Sequence, residues 1–236
     1  MDDSRLSAAL LDLERLADDP TSFCRPFIAM FPITGAAVST VGDLLGSETV
    51  SASDELAARV DELQFDLGEG PCWDAMNLGR PVLEPRLKDH PRTVWPAFTP
   101  ALSAHPVNSI FAFPLQVGNL HIGAVDLYSV DPVDLTSTQT RHAAALARAV
   151  GRHVLRRALE QIGGEHEDVG NAFSRRLIHQ ATGMVLAQLR IPGDDARLII
   201  QGQAYATGKS MMEIAQEIVD GRLSFSRGST GFEDSE

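Results

Sequence analysis

From Arg175 to Val219 the apolar positions form three short stripes at helical spacing. Ile178, Ala181, Val185 and Leu189, with Leu177 and Met184 beside them, define one face of a helix predicted from Ala172 to Leu189. Ile191-Pro192-Gly193 ends it, because proline cannot extend a helix and glycine turns freely. Asp194 is the predicted N-cap of a second helix that carries Ala196, Ile199, Ile200 and Ala204 and stops at Thr207-Gly208-Lys209. Ser210 and Glu213 have capping-box spacing, and Met211, Ile214, Ala215, Ile218 and Val219 stripe a third helix. Helices of this size bury little core alone, so they need each other or a larger body.

Upstream the periodicity is mixed. Leu6, Leu10, Leu13 and Ala17 line one face of a helix from Ser4 to Asp18, suited to packing on its own domain or on a partner subunit. Thr34 to Val41 and Ser47 to Ser51 read as strands. Ser53 to Gln64 reads as a helix burying Leu56, Val60 and Leu63, and Pro71 opens another that Gly79 stops after Leu78. Pro81 to Glu84 is a short strand, and Trp95 to Ala104 is helical or irregular. Ser109 to Leu115 and Asn119 to Tyr128 form a hairpin about Val117-Gly118-Asn119. Thr136 to Gln161 is one long helix with Leu146, Ala149, Val150, His153 and Val154 along a strip. Interspersed strands and helices with a late hairpin indicate α+β: an antiparallel sheet flanked by helices, then a small all-α three-helix module. The expected divisions are an N-terminal helix over 1–20, a sensor or scaffold domain over 21–161, a linker over 162–171, the helical module over 172–223 and a disordered tail over 224–236.

Composition narrows the function classes. The 236 residues carry a formal net charge of −12, which argues against coating by nucleic acid or an anionic membrane but allows a local basic patch. Cys24 and Cys72 make no disulfide framework and no metal spacing, as expected in a reducing cytosol. No signal peptide or bilayer-spanning stretch is read, so the expected location is cytoplasmic, with no membrane partner.

Candidate chemistry is sparse. Cys72 starts a predicted helix, where the macrodipole lowers a thiol pKa, but the bland reading is a buried small hydrophobe, and Glu69 nearby favours it. His121 alternates with Ile122 on a strand, yet no second histidine stands at ligand spacing, so no metal and no cofactor is expected. Cys72, Trp73, Trp95, Phe113, His121 and Tyr128 are the candidate lining of a ligand pocket; aromatics of this kind more often form simple core. No acid, base and nucleophile assemble, and no phosphate-binding glycine loop occurs, so no enzyme is proposed. In the C-terminal stretch Arg175, Arg176, His179, Arg190 and Lys209 are candidate phosphate contacts, and Tyr205 a platform for an unpaired base. The alternative is a solvated helix face. Arg175 and Arg176 are expected on an exposed face.

Two resemblances rest on these residues. The order Ala181-x-Gly183, Ala196, Ile200, Ala204, Met211, Ile214-Ala215, Val219 resembles an ANTAR domain, a three-helix module that binds two-hairpin RNA and prevents transcription termination. Thr182 stands where that family usually has lysine, and Gln201, Gly202 and Tyr205 where it often has basic residues. Thr182 and Gly183 join the candidate RNA contacts on this resemblance. The stretches LGEGPCWDAMNLGRPVLEP (67–85) and FPLQVGNLHIGAVDLYS (113–129) resemble a GAF domain of the type found ahead of ANTAR modules, over Thr21 to Gln161. Together they imply a signal-responsive regulator whose sensor takes a small-molecule or protein signal, and a homodimer, because two hairpins match two module copies. Ser4 to Asp18 and Thr136 to Gln161 are the expected dimer helices. The rival reading, from another class, is a dimeric scaffold whose C-terminal helices dock protein rather than RNA; the neutral residues at Thr182, Gln201, Gly202 and Tyr205 favour it.

Overall fold

The computed structural model describes residues 3–15, 19–42, 45–89, 94–163 and 175–226. The chain divides into two compact units, Met1–Phe173 and Ser174–Glu236. In the first, helices α1 (Asp3–Arg15) and α2 (Arg25–Met30) precede strands β1 (Gly35–Thr40) and β2 (Glu48–Ala52). Helices α3 (Glu55–Leu67) and α4 (Pro71–Leu78), strand β3 (Val82–Glu84) and helix α5 (Phe98–Leu102) follow. Strands β4 (Ser109–Val117) and β5 (Leu120–Ser129) then lead into α6 (Ser137–Gly163). The sheet is antiparallel in order β2-β1-β5-β4-β3, so the late hairpin supplies two neighbouring strands near its middle. The fold is α+β, with the sheet flanked by helices and followed by a helical module.

Strand alternation divides the core between the two faces. Val125 and Leu127 of β5, with Phe111, Phe113 and Leu115 of β4, pack with Phe23, Phe27, Leu146 and Val150 on the face of α1, α2 and α6. Ala124, Asp126 and Tyr128 of β5 alternate with them. Tyr128 joins Val60, Trp95, Phe98, Leu102 and Ile110 on the other face, and Ala124 joins Cys72, Ala75 and Ala112. Each fully buried Leu or Phe here contributes roughly 1.5–3 kcal/mol by leaving water, which makes the sheet the anchor of the unit.

Helix α1 buries only Leu13 fully. Its acids supplement this contact: Asp3 Oδ1 lies 3.1 Å from His142 Nε2, and Glu14 Oε1 lies 3.5 Å from His153 Nε2. The acids and the histidines are both eleven residues apart, so α1 runs parallel to α6 with matching registers.

The helical unit comprises α7 (Arg176–Leu189), α8 (Gly193–Thr207) and α9 (Met211–Val219). Ile178, Ala181 and Val185 of α7, Ala196, Ile200 and Ala204 of α8, and Met211, Ile214, Ala215 and Ile218 of α9 are buried, and each helix contacts the other two. The capping box is present: Ser210 accepts from the Glu213 N–H, and Glu213 accepts from the Ser210 N–H.

Some boundaries differ from the pattern-based reading. Asp194 lies in the first turn of α8 while Pro192 holds the cap position without a side-chain hydrogen bond, so the acid acts on the helix dipole instead. Helix α2 has no counterpart in the reading, because its six residues are too few to show a period. The long helix continues to Gly163, through the first two residues expected as linker. The rest of that linker, the expected helix start at Ala172 to Ser174, and tail residues 227–236 lie outside the described residues.

Candidate functional site

On the face of the sheet covered by α3, α4 and α5, polar groups converge on Gln64. Its Nε2 donates to Asp126 Oδ2 at 2.7 Å, its Oε1 accepts from the Cys72 N–H at 2.8 Å, and its carbonyl accepts from Trp73 Nε1 at 2.7 Å. Burial pushes the Asp126 carboxyl well above the usual range, Asp61 adds to the shift, and the Gln64 hydrogen bond opposes it. Burial therefore favours the protonated, uncharged form of Asp126, and its Oδ1 has no partner among the described residues. Asp61 accepts a short hydrogen bond from the Thr49 hydroxyl.

A second set of acids closes this face. Glu69 Oε1 accepts from the Ala97 and Phe98 N–H groups, each at 2.6 Å, and Asp74 Oδ2 accepts from Trp95 Nε1 at 3.1 Å. These bonds seat Trp95 and Phe98, packed edge to face, over the sheet. The side chains of this segment pack in one core cluster with Tyr128 and Ile110.

The candidate pocket residues are accordingly dispersed. Cys72 and Trp73 lie at the α4–sheet contact, and Trp95 and Tyr128 in the neighbouring cluster. Tyr128 donates to Asp54 Oδ1 at 2.8 Å; burial first, and then Asp54, raise its pKa. Phe113 faces the opposite side of the sheet, against α6, so it lines no cavity with the others. His121 is exposed, its ring nitrogens 2.7 Å from the Met76 carbonyl and 2.6 Å from Gln116 Nε2. No group of three or more His, Cys, Asp or Glu is placed to hold a metal among the described residues. Both cysteines are free and buried. Burial pushes the Cys24 thiol up to about 12, partly opposed by its hydrogen bond with Ser51. A thiol reagent should therefore modify the native protein far more slowly than the urea-unfolded chain; equal rates would contradict the burial of both.

The helical unit places the remaining candidates unequally. Arg175 is 5 % exposed at the N-cap of α7, which corrects the expectation that it shares an exposed face with Arg176. Burial there takes its guanidinium away from solvent. Lys209 is paired with Glu217 at 2.8 Å, and the Thr182 hydroxyl donates to the Ile178 carbonyl, so neither offers an uncommitted group. Arg176, His179, Gly183 and Arg190 are exposed; a spacing of three and four puts the first three along one face of α7, and Arg190 is the C-cap that follows it. Arg190 has φ of 52°, the one positive φ at a non-glycine among the described residues. Arginine in this conformation costs about 1 kcal/mol or more. Tyr205 on α8 is 70 % exposed. At the end of the unit, hydrogen bonds from Arg222 and then Gln216 hold the Asp220 carboxyl below its usual range.

Gly183 and Gly202 sit inside helices, and a Cβ on either would meet nothing within 4 Å. Neither has a positive φ. Glycine inside a helix costs roughly 0.5–1 kcal/mol relative to alanine, and nothing in the packing of the unit offsets this. Gly183→Ala should therefore raise stability by about that amount, read as a higher urea midpoint. An unchanged or lower midpoint would show that the helix needs glycine for its own packing.

The comparisons with known proteins identify both units. The GAF domain family matches residues 14–155, more than half of the chain, and the ANTAR domain family matches residues 172–219. The chain belongs to the GAF family. Its C-terminal helices are an ANTAR domain, so the whole has the architecture of a GAF–ANTAR regulator. Among solved structures, the chain is similar to the GAF domain of an Acinetobacter phosphoenolpyruvate-protein phosphotransferase, at 10% identity and a TM-score of 0.52, covering 72% of this chain and 96% of that one. It is similar to the corresponding Coxiella burnetii domain at 11% identity and a TM-score of 0.52, covering 69% and 99%. The type II free methionine-R-sulfoxide reductase of Thermoplasma acidophilum matches at 15% identity and a TM-score of 0.44, covering 61% and 94%. The likenesses at a TM-score of 0.52 support the fold alone. No curated protein matches the sequence. Among the described residues no helix is long and apolar enough to cross a membrane.

Proposed function

We propose that this protein is a cytoplasmic, non-enzymatic regulator that binds paired RNA hairpins through its ANTAR domain and prevents transcription termination. The observation that carries this reading is the ANTAR match over 172–219, together with the exposed α7 face of Arg176, His179 and Gly183 and the exposed Arg190 at its C-cap. Phosphate contacts would come from the two arginines, and the uncovered ring of Tyr205 offers a surface for an unstacked base. Gly183 leaves room for a backbone to approach α7 closely. The GAF domain takes the input, a small-molecule or protein signal. A homodimer presents two modules to two hairpins, and the signal acts by having different affinity for two states of that dimer.

A second reading has its own support. Leu198 is 58 % exposed and Tyr205 70 %, and residues 175–226 carry six Lys or Arg against five Asp or Glu. A nearly neutral unit with uncovered apolar side chains also suits protein docking. Sequencing the RNA that copurifies with the protein from cells separates the two. Enrichment of leader segments with two adjacent hairpins supports RNA binding; a profile identical to a mock purification supports docking.

A further inference from the structure

The densest positive charge in the chain is on α6, in the GAF unit. Residues 137–163 contain Arg141, Arg148, Arg152, Arg156 and Arg157 against Glu160 alone, a net of +4. With a net charge of −12 for the whole chain, the remainder carries −16. Arg141, Arg148, Arg152 and Arg156 are exposed and follow one another by seven, four and four residues, so they form one stripe. At 1.5 Å per residue it is about 22 Å long. Arg141 is hydrogen-bonded to Thr138, and Arg156 to His153 with Glu160 3.9 Å away. Arg148 and Arg152 have no hydrogen bond or ion pair among the described residues. At its C-terminal end the stripe borders a groove of about 440 Å³ with Val117, Leu155 and Leu159 as its apolar floor.

We propose that this arginine stripe is a second RNA-contacting surface that grips phosphates, in addition to the ANTAR face. The inference rests on the reading of the protein as an RNA-binding regulator, and it answers a shortfall in that reading. Binding to a polyanion draws its affinity from clustered Lys and Arg. The ANTAR unit has one net positive charge, with Arg175 buried and Lys209 paired. The α6 stripe supplies the cluster that unit lacks. Charge complementarity also favours RNA over a second copy of the chain. Two copies meeting stripe to stripe would oppose arginine with arginine. The acids of the neighbouring α1 are engaged within the chain: Asp3 with His142, Asp12 with Arg15, and Glu14 with His153.

The test is filter binding of a two-hairpin RNA to the full chain over a range of salt, with the Arg148→Ala/Arg152→Ala double variant beside the parent. Both arginines are exposed on a helix that tolerates alanine, so the fold should hold, which circular dichroism checks. Loss of two phosphate contacts should reduce the slope of log affinity against log salt by roughly 1.8 for paired RNA that behaves like duplex DNA, and weaken binding on the order of 30-fold at physiological salt. A lysine double variant at the same positions should recover most of the slope, because it keeps the charge. A parent that binds, with an alanine variant of equal affinity and slope, overturns the stripe alone. A parent that binds no RNA overturns both the stripe and the antitermination reading. An alanine variant whose only change is lost self-association would assign the stripe to an interface between copies and overturn the proposal.

Discussion

Gly123→Ala should strongly destabilise the GAF domain. Gly123 lies on β5, paired with Thr40 of β1 on one side and Leu115 of β4 on the other. Its φ is +157°, and an added Cβ would stand 1.9 Å from the Ser39 carbonyl oxygen and 2.8 Å from the Thr40 Cα. Both obstacles are backbone, so no rotamer change relieves the clash. Moving β1 away would break the ladder that joins β1 and β2 to the sheet. A loss above about 4 kcal/mol is expected, which corresponds to a fall in melting temperature on the order of 10 °C for a domain of this size. Gly118→Ala is the control. It sits at the hairpin turn with φ of +61° and open space around its Cβ position, so its cost should be limited to the backbone, about 1–2 kcal/mol. A Gly123→Ala protein that melts within about 2 °C of the parent, less than 1 kcal/mol is worth here, would contradict the described register.

The second large effect is at Gln64. Gln64→Ala removes the partner of Asp126 Oδ2 and the acceptor of the Cys72 N–H, both buried. Each unsatisfied group costs about 1–3 kcal/mol, so a total loss of roughly 3 kcal/mol is expected in urea unfolding. Asp126 itself makes the stability depend on pH. Its native pKa is raised by burial above the unfolded value, which is about 3.9. The native state thus holds a proton that the unfolded chain gives up. The stability this contributes is complete below the unfolded pKa and is lost as pH rises through the native pKa. Asp126→Asn cannot ionise, so its advantage over the parent should grow as pH rises above the unfolded carboxylate pKa, read as diverging urea midpoints. Midpoints that stay parallel as pH rises would contradict a raised Asp126 pKa.

Much of this was legible in the sequence, for identifiable reasons. The α7 to α9 helices announce themselves because each carries an apolar stripe with a proline, glycine or capping signal at its end. The β4–β5 hairpin was visible from its glycine turn and strand composition. Periodicity assigns a face only within a helix, and Arg175 stands at the N-cap with a non-helical backbone, so its burial is not readable from spacing. Phe113 was grouped with Cys72 for chemical reasons, although strand parity sends it to the α6 side. Gln64 gave no local signal, since its partner Asp126 is sixty-two residues away. The α6 arginines are readable by the same periodicity that locates the helix, since their spacing of seven, four and four sets them on one face.

The proposal that this chain binds RNA hairpins is tested by direct titration. Full-length protein is added to a labelled RNA carrying two adjacent hairpins, at low and at high salt, with a single-hairpin RNA as control. The expected result is saturable binding to the paired hairpins at low salt, weaker binding at high salt as condensed counterions compete, and a clear preference over the single hairpin. Absence of binding at low salt, or equal affinity for both RNAs, would contradict it.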